Sequence, residues 1–505
     1  MPLYAAIGSK GGVASQTGFA TTEGLKVLER GGNAFDAAIV ASSILTVILP
    51  YTSSIGGDGF LLALDRNSDL VAYNGSGRSP EEFPVDKYLE ERPVVGPLTI
   101  TVPGLVDLWD WTSDSYCSMK LADLLKPAIS LAQNGFFVQE PLTEAVEVSR
   151  SSVERYESWN TTFGRMDAGS WVNFPRLSTV YTAIANKGAD AFYRSKLTED
   201  IVQELNDQGA CLTSTDFSRH RGEVVSPIRC SYKDFELCEL PPNSQGVSTL
   251  QLLKAVELNE LGELSFASTE RVEKFLSLAA SAYEDRDTYV SDPDFFKTPI
   301  EKLLSAENMK DRFNRKCNQN ALRGNDTTFL VASDCQGNLV GFIQSIFKKF
   351  GSGIVAHEIP FQNRATGFAL NLKVPNCPAP RKRPLHTLSI LLARHESRGN
   401  YLIGCAGGDA RPQVHAEVFV NIAEYEMSLS KAVEAPRYVV NSWYDGQLNA
   451  TIEGCFLDAD LPKWINTDNL SLPSVGIVHA ARRRSDGVLE FVADPRGGGL
   501  AASLL

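Results

Sequence analysis

Residues 324–353 read GNDTTFLVASDCQGNLVGFIQSIFKKFGSG. The stretch contains two runs rich in β-branched and aromatic residues, Thr327–Asp334 and Leu339–Ile346, and Cys335–Gly337 lie between Asp334 and Asn338. This pattern predicts two strands joined by a three-residue hairpin loop, with the loop glycine in a left-handed conformation. The loop length sets the register, so the pairing that starts at the turn brings Thr327 opposite Ser345. Opposed Cβ atoms lie about 4.5–5.5 Å apart, close enough for two hydroxyl groups to hydrogen-bond.

The opposed hydroxyl groups of Thr327 and Ser345 have two explanations. Threonine–serine pairs across two strands are common and need no function. Alternatively, Thr327 is a nucleophile that becomes an N-terminal residue when the chain is cut after Asp326. A threonine hydroxyl needs a base beside it, and an N-terminal threonine carries one in its own α-amine. Such a protein is made as a precursor whose hydroxyl first attacks the carbonyl of Asp326.

The elements around this hairpin predict a layered fold. Residues 120–320 are mostly helical in pattern, with LADLLKPAISLAQNG and TLQLLKAVELNELG as clear amphipathic segments, and strands return from Thr327 onward. Near the N-terminus, one helix is predicted to end at Gly31-Gly32. Asn33 is then predicted to cap a buried helix that stops at Pro50, with Asp36 in its first turn. Because helices and strands are segregated along the chain, the pattern favours stacked α and β layers over a doubly wound sheet.

Composition excludes several classes of function. The 505 residues are 43% hydrophobic and 22% charged, as in a soluble globular protein, and their formal net charge is −13. This charge argues against a general surface for nucleic acid or anionic membrane. The N-terminus lacks a secretory pattern and the apolar run 37–50 is too short to span a bilayer, so a cytoplasmic location is expected. Nine cysteines without a CxxC pair fit reduced thiols better than disulfides or a zinc site.

Motifs along nearly the whole chain resemble those of the γ-glutamyltranspeptidase family, a branch of the N-terminal-nucleophile hydrolases. They include VASQTGFATTEGLKVLERGGNAFDAAIVAS, LPYTSSIGGDGF, GPLTITVPGLVDLWDW, ELPPNSQGVSTLQLLK, AYEDRDTYVSDPDFF, DTTFLVASDCQGNLV, KRPLHTLS, GCAGGDARPQVHAEV, AVEAPRY and VADPRGGG. The resemblance implies an α+β fold, a four-layer αββα sandwich. It also implies cleavage into a large segment, 1–326, and a small segment, 327–505, which share one core and stay associated. No metal or organic cofactor, nucleic acid or membrane is implied, and a homo-oligomer is possible.

The resemblance also implies roles for individual residues. Thr327 matches the catalytic N-terminal threonine, and Ser345 matches the second hydroxyl residue that hydrogen-bonds to it. Gly407 and Gly408 match the pair whose backbone N–H groups form the oxyanion hole. Glycine suits that task because it lets the backbone approach the reacting carbonyl closely.

Other positions depart from the glutathione-processing members, which hold a zwitterionic γ-glutamyl head. Those members hold the substrate carboxylate with an arginine that precedes a proline. In the matching segment here, NGSGRSP, Arg78 lies two residues nearer the proline. Lys373 and Asn376 stand near the positions of groups that hold the α-amine, and an expected asparagine is Phe347. A serine pair is replaced by His386-Thr387, and Asp409 follows the glycine pair. At these positions the sequence is more similar to a divergent branch of the family that includes oxamate amidohydrolase-like members.

With Arg78, His386, Thr387, Lys373 and Asp409 as candidate substrate contacts, we expect a cationic pocket. Such a pocket suits a small acidic amide without a free α-amine. Lys373 and His386 could equally be solvated surface residues.

Three alternatives remain at this stage. The first is γ-glutamyl transfer or glutathione hydrolysis. The second is an uncleaved homologue that acts as a binding protein. The third is a nucleotide phosphatase, from the resemblance of GSKGGVASQT to a phosphate-binding loop, although Ser15 replaces a basic residue and no clear strand precedes the loop.

Overall fold

A computed structural model describes residues 3–310, 326–444, 446–454, 461–467 and 475–505. Two seven-stranded antiparallel sheets form its centre. In spatial order, sheet I consists of β1 (Ala6–Gly8), β20 (Leu489–Ala493), β19 (Ile477–Arg483), β15 (Gly399–Ala406), β14 (Leu391–His395), β9 (Phe235–Glu239) and β8 (Ile228–Tyr232). Sheet II consists of β21 (Leu500–Leu504), β2 (Gly11–Ser15), β10 (Thr328–Asp334), β11 (Leu339–Ser345), β3 (Asp58–Leu64), β4 (Leu70–Asn74) and β7 (Glu223–Val224).

Three smaller sheets lie outside this pair. They comprise β5 (Phe136–Phe137) with β6 (Trp171–Val172), β12 (Val355–Ala356) with β13 (Ile359–Pro360), and β16 (Tyr438–Tyr444), β17 (Gln447–Ile452) and β18 (Ile465–Thr467). Both large sheets contain strands from before and after Thr327, so the two predicted segments share one core.

Helices cover the outer faces of both large sheets. Their bounds are α1 (Gly18–Glu29), α2 (Ala34–Ile48), α3 (Val85–Glu91), α4 (Leu105–Tyr116), α5 (Leu121–Leu124), α6 (Lys126–Asn134), α7 (Glu140–Val153), α8 (Glu157–Phe163), α9 (Pro175–Lys187), α10 (Asp190–Tyr193), α11 (Lys196–Asn206), α12 (Ser214–Arg219), α13 (Gly246–Leu258), α14 (Thr269–Tyr289), α15 (Ile300–Leu303), α16 (Ala306–Lys310), α17 (Arg411–Ala423) and α18 (Leu429–Glu434). Among the helices described here, none has the length and apolar character needed to cross a lipid bilayer.

Alternation along the strands produces separate layers of core. Phe329 and Val331 of β10 pack between the two sheets together with Leu402 of β15. The intervening Leu330 and Ala332 face the helices that cover sheet II. Successive side chains of a strand point to opposite faces, so a strand buried on both faces separates two apolar layers. The predicted αββα layering is confirmed.

The predicted hairpin is confirmed in its register. Thr328 pairs with Gln344 and Ser333 pairs with Leu339, while the Asp334 N–H donates to the Asn338 carbonyl. Gly337 in the turn has a φ of +113°, a conformation that a side chain would disfavour. Because the register holds along the whole hairpin, the residue before β10 and the last residue of β11 come together at one end.

Two helix predictions differ in their outcome. Asn33 and Asp36 form the reciprocal capping box that begins α2, and all of α2 except its last residue is buried, as predicted. The segment LADLLKPAISLAQNG, in contrast, is divided into α5 and α6 at Leu125. Pro127 has no N–H group and is tolerated only in the first turn of a helix, so α6 starts anew around it.

Asp334 ties the hairpin turn to α2, and its loss should destabilise the fold. Its buried carboxylate accepts hydrogen bonds from the N–H groups of Ala34 at 2.8 Å, Gln336 at 2.9 Å and Asn338 at 3.1 Å. We expect Asp334→Ala to cost about 3 kcal/mol, because it leaves buried donors without acceptors. Thermal melting should show a lower Tm, with Asp334→Asn in between because it keeps an acceptor oxygen. An unchanged Tm in the alanine variant would contradict this role.

Candidate active site

Two hydroxyl groups converge on the peptide bond between Asp326 and Thr327. The Thr327 hydroxyl donates to the Asp326 carbonyl oxygen at 2.7 Å, and the Ser345 hydroxyl donates to the same oxygen at 2.8 Å. Lys349 holds the Asp326 carboxylate at 2.7 Å, and Thr327 and Ser345 are both about 1% exposed. Hydrogen bonds therefore hold both the carbonyl and the side chain of Asp326, and the Thr327 hydroxyl lies next to the peptide bond that precedes it.

This arrangement differs in one respect from the expected hydrogen bond between Thr327 and Ser345. Each hydroxyl has one proton, and in the intact chain both protons are directed to the Asp326 carbonyl. The Phe347 N–H donates to the Ser345 oxygen at 2.8 Å and so fixes its orientation. A direct Thr327–Ser345 bond stays a prediction for the chain after cleavage, when the Asp326 carbonyl has gone.

Arg411 contacts the threonine oxygen directly, a contact that the sequence did not indicate. Its Nη2 donates to Thr327 Oγ1 at 3.0 Å, and its Nε donates to the Cys405 carbonyl at 2.9 Å. The side chain is fully buried, and burial lowers its pKa. A cationic donor on the hydroxyl oxygen stabilises negative charge there when the proton leaves.

Gly407 and Gly408 lie in the turn between β15 and α17. The Gly407 carbonyl accepts from Ala410 N–H at 2.9 Å, and the Gly408 carbonyl accepts from Gln245 Nε2 at 3.0 Å. In a trans peptide the N–H points opposite to the carbonyl, so the bond to Ala410 turns the Gly408 N–H away from α17. Arg411, three residues further on, connects this turn to Thr327. The oxyanion-hole assignment is compatible with this geometry and stays a prediction.

Asp58 and His386 form a buried pair next to Ser345. Asp58 pairs with Ser345 across β3 and β11, and its Oδ2 lies 3.2 Å from His386 Nε2. The Leu388 N–H donates to His386 Nδ1 at 3.2 Å, which places the imidazole proton on Nε2. Burial, together with the charges of Arg364 and Arg411, holds the pKa of His386 well below its usual range. His386 is thus a neutral donor to Asp58.

Asp58 should make the stability of the protein depend on pH. Burial raises its pKa from 3.8 to about 6, although Arg364 opposes the shift. A raised carboxyl pKa means that its contribution to stability is greatest below pH 4 and falls as the pH rises to about 6. As the pH rises from 4 to 6, the free energy of unfolding of Asp58→Asn should therefore increase by on the order of 3 kcal/mol relative to that of wild type. The Tm difference between the two proteins, measured at pH 4 and pH 7, checks this, and a constant difference would contradict it.

Thr387 and Asp409 lie within the same buried region. Thr387 Oγ1 accepts from Arg364 Nη1 at 3.4 Å. The Asp409 carboxylate forms an ion pair with Arg286 at 2.5 Å, and its carbonyl accepts from the Tyr283 hydroxyl. Asp409 therefore helps to hold the turn after Gly408, and a direct substrate contact by it remains a prediction.

The contacts of Arg78 and Lys373 lie elsewhere. Arg78 forms ion pairs with Asp292 at 2.7 Å and with Asp294 at 2.6 Å, so its charge is already compensated. Lys373 is exposed on a loop, and Asn376 is buried with its amide bound to backbone. As substrate contacts, Arg78 and Lys373 remain predictions without support from their surroundings. The cation that contacts the nucleophile is instead Arg411, which lies in the motif GCAGGDARPQVHAEV, and Arg364 lies near Arg411.

The sequence and the fold are similar to those of known proteins. The family model of gamma-glutamyltranspeptidase matches residues 20–504. A glutathione hydrolase-like YwrD proenzyme of Bacillus subtilis is 32% identical over 99% of both chains. An oxamate amidohydrolase proenzyme of Klebsiella pneumoniae is 28% identical over 96% of both chains. The crystal structure of a cephalosporin acylase from Bacillus halodurans superposes with a TM-score of 0.88 at 29% identity, covering 99% of this chain and 97% of that one.

Proposed function

Because the chain belongs to the γ-glutamyltranspeptidase family, whose hydrolases and acyltransferases attack amides, we propose that it is a self-processing amidase with Thr327 as its nucleophile. The observation that carries the proposal is the convergence of the Thr327 and Ser345 hydroxyl groups on the Asp326 carbonyl. The proenzyme names of two relatives support self-cleavage. The two relatives belong to one family but are named for different substrates. We therefore expect the amide-cleaving groups to be shared and the substrate pocket to determine which amide is cleaved.

Maturation proceeds through an ester. The Thr327 oxygen attacks the Asp326 carbonyl carbon, and negative charge develops on the oxygen that the Ser345 hydroxyl already contacts at 2.8 Å. The bond to the Thr327 nitrogen breaks, that nitrogen takes up a proton, and water then hydrolyses the ester. The products are a new backbone α-carboxylate at Asp326 and a free α-amine at Thr327.

The matured site then repeats the attack on a substrate. The α-amine accepts the hydroxyl proton, and the oxygen attacks the amide carbonyl while Arg411 stabilises charge on it. The N–H groups of Gly407 and Gly408 hold the developing oxyanion. The amine product leaves with a proton, and water or another amine takes the acyl group from Thr327.

The substrate that we propose is a small acidic amide without a free α-amine. Arg411 touches the nucleophile and Arg364 lies near Arg411, while the neighbouring carboxylates Asp58 and Asp409 are held by other partners, so a substrate carboxylate can be bound near Thr327. An α-ammonium would be repelled there, and an unpaired buried charge is costly. A γ-glutamyl head is therefore a poor fit, although the name of the Bacillus subtilis relative keeps glutathione hydrolysis as the second candidate.

Two measurements on the purified protein test the proposal. Intact mass should show two chains, residues 1–326 and 327–505, and brief reaction with substrate should add one acyl group to the second. A chain that stays whole and inactive would favour a binding protein instead. The second measurement compares kcat/KM for a γ-glutamyl anilide with that for the glutaryl anilide, which lacks the α-amine. We expect the glutaryl compound to be preferred, and a clear preference for the free amine would return the protein to glutathione chemistry.

A further inference from the structure

We propose that Arg364 is the specificity-determining residue of this site and binds a carboxylate of the substrate through its Nε and Nη2 groups. The substrate of Thr327 is then a monoamide of a small dicarboxylic acid, with its second carboxylate on Arg364. This inference rests on the proposed amidase function and adds the group that selects its substrate.

The guanidinium of Arg364 presents a vacant pair of donors. The side chain is fully buried, and its Nη1 makes a long contact of 3.4 Å with Thr387. Its Nε and Nη2 have no hydrogen-bond partner among the residues that the structure describes. Buried donors without acceptors are rare because each costs the full desolvation of the group. The pair is therefore open to an acceptor that a ligand supplies.

The two vacant nitrogens match the geometry of a carboxylate. Nε–H and one Nη–H lie on the same edge of the planar guanidinium, are parallel, and can bind both oxygens of a carboxylate at once. In Arg364 the contact to Thr387 uses Nη1, so the edge formed by Nε and Nη2 stays complete. A single donor, such as a lysine ammonium, could not reproduce this fork.

Arg364 stands next to the reacting groups. Its guanidinium lies 4.4 Å from the centre of the Phe347 ring, and the Phe347 N–H holds the Ser345 hydroxyl at 2.8 Å. The Phe347 ring supports the guanidinium from one face and leaves its edges for hydrogen bonds. Phe347 thus links Arg364 to the hydroxyl pair, and the proposal requires a substrate with a short distance between its carboxylate and its amide.

The charges around Arg364 also require an anion. Burial lowers the pKa of Arg364 to about 9, and the nearby Arg411 adds to this shift, whereas Asp58 and Asp409 oppose it. Asp409 is paired with Arg286 at 2.5 Å. Asp58 is itself held by two backbone N–H groups and by His386, and Nη1 of Arg411 is a further buried donor without a described partner. Two guanidinium groups thus share incomplete compensation, which a bound carboxylate would supply.

The test compares a charged substrate with its neutral ester. In purified protein, kcat/KM is measured for glutaryl anilide and for its methyl ester, in wild type, Arg364→Met, Arg364→Lys and the exposed control Arg229→Met. For Arg364→Met we expect the carboxylate-to-ester ratio to fall about 10- to 100-fold, mainly through KM. In Arg364→Lys the ratio should fall by less, because lysine keeps the positive charge but lacks the two parallel donors. In Arg229→Met the ratio should match that of wild type.

Two further readouts separate this inference from the proposed function. Calorimetric titration with glutarate and with succinate measures carboxylate binding without turnover, and intact mass reports self-cleavage. If wild type cleaves itself but Arg364→Met keeps the wild-type ratio and dicarboxylate binding, Arg364 is not the selector and the amidase proposal stands. If wild type stays whole but its dicarboxylate binding is lost in Arg364→Met, the carboxylate site stands and the amidase proposal fails.

Thermal melting tests whether Arg364 has a purely structural role. Replacing an uncompensated buried charge with methionine should leave Tm unchanged or raise it. A large fall in Tm for both Arg364→Met and Arg364→Lys would show that the guanidinium holds the fold together, and it would overturn the assignment.

Discussion

We expect Thr327→Ala to leave the chain whole and inactive. This is the largest effect that we expect, because in the proposed mechanism one hydroxyl group performs both the self-cleavage and the attack on the substrate. The structure places that hydroxyl 2.7 Å from the Asp326 carbonyl oxygen, and alanine has no atom that could replace it. Intact-mass measurement should find only full-length chain, with no detectable amidase activity. Thr327→Ser keeps the hydroxyl and should still mature.

The adjacent threonine provides a matched control for this experiment. Thr328 is equally buried, but its hydroxyl makes only a 3.4 Å contact with the Gln344 carbonyl inside the hairpin. Thr328→Val should therefore cleave itself as wild type does. Incubation of Thr327→Ala with matured wild type should yield no fragments, because the attack is on the residue's own preceding bond. Fragments ending at Asp326 in the isolated Thr327→Ala protein would refute the assignment.

Ser345→Ala should slow self-cleavage about 10- to 100-fold, the loss that corresponds to a hydrogen bond to developing charge of about 1.5–3 kcal/mol. The Ser345 hydroxyl contacts the oxygen that becomes negative when Thr327 attacks, so the bond strengthens in the transition state. In the matured enzyme, the same change should lower kcat more than it raises KM. Following the uncleaved fraction over time after cell-free synthesis measures the first effect.

Ser333 provides the control for the change at Ser345. It lies in the same hairpin, and its buried hydroxyl donates to the Asn338 carbonyl at 2.6 Å, close to the turn and away from the cleaved bond. Ser333→Ala should lower stability slightly and leave the cleavage rate unchanged. Ser345→Thr keeps a hydroxyl group and should therefore retain much of the self-cleavage rate that Ser345→Ala loses. If Ser345→Ala matures and turns over like wild type, the opposed hydroxyl groups are only an ordinary cross-strand pair.

The sequence was sufficient for those features that depend on local pattern. The alternation in residues 327–346 and the three-residue turn determined the hairpin register, and that register placed Ser345 beside Thr327. The cap at Asn33 was equally visible, because its chemistry involves residues three positions apart. Segregated helices and strands were enough to predict the layers.

The cations of the site could not be found in this way. Arg411 reaches Thr327 from 84 positions away in the chain, and Arg364 lies in a short turn without a periodic pattern. Nothing in sequence spacing distinguishes a buried arginine from a solvated one, since charged residues are usually exposed. Lys373, which was chosen for its position near the family's amine-binding groups, is exposed and stands nine residues after the buried Arg364, and its contact with the substrate stays a prediction.

The strand order of sheet II has a consequence for how the protein is made. β10 and β11, which follow Thr327, lie between β2 and β3, which precede it. While the bond at Asp326 is intact, folding is unimolecular, because each half is present at the high effective concentration that a tether provides. Once the bond is cut, separated halves would have to find each other in solution and insert the central strands of the other's sheet. If the proposed cleavage occurs, the intact bond between Asp326 and Thr327 assists folding only once. We then expect the cleaved protein to persist because it unfolds slowly, since its separated halves would not readily reassemble.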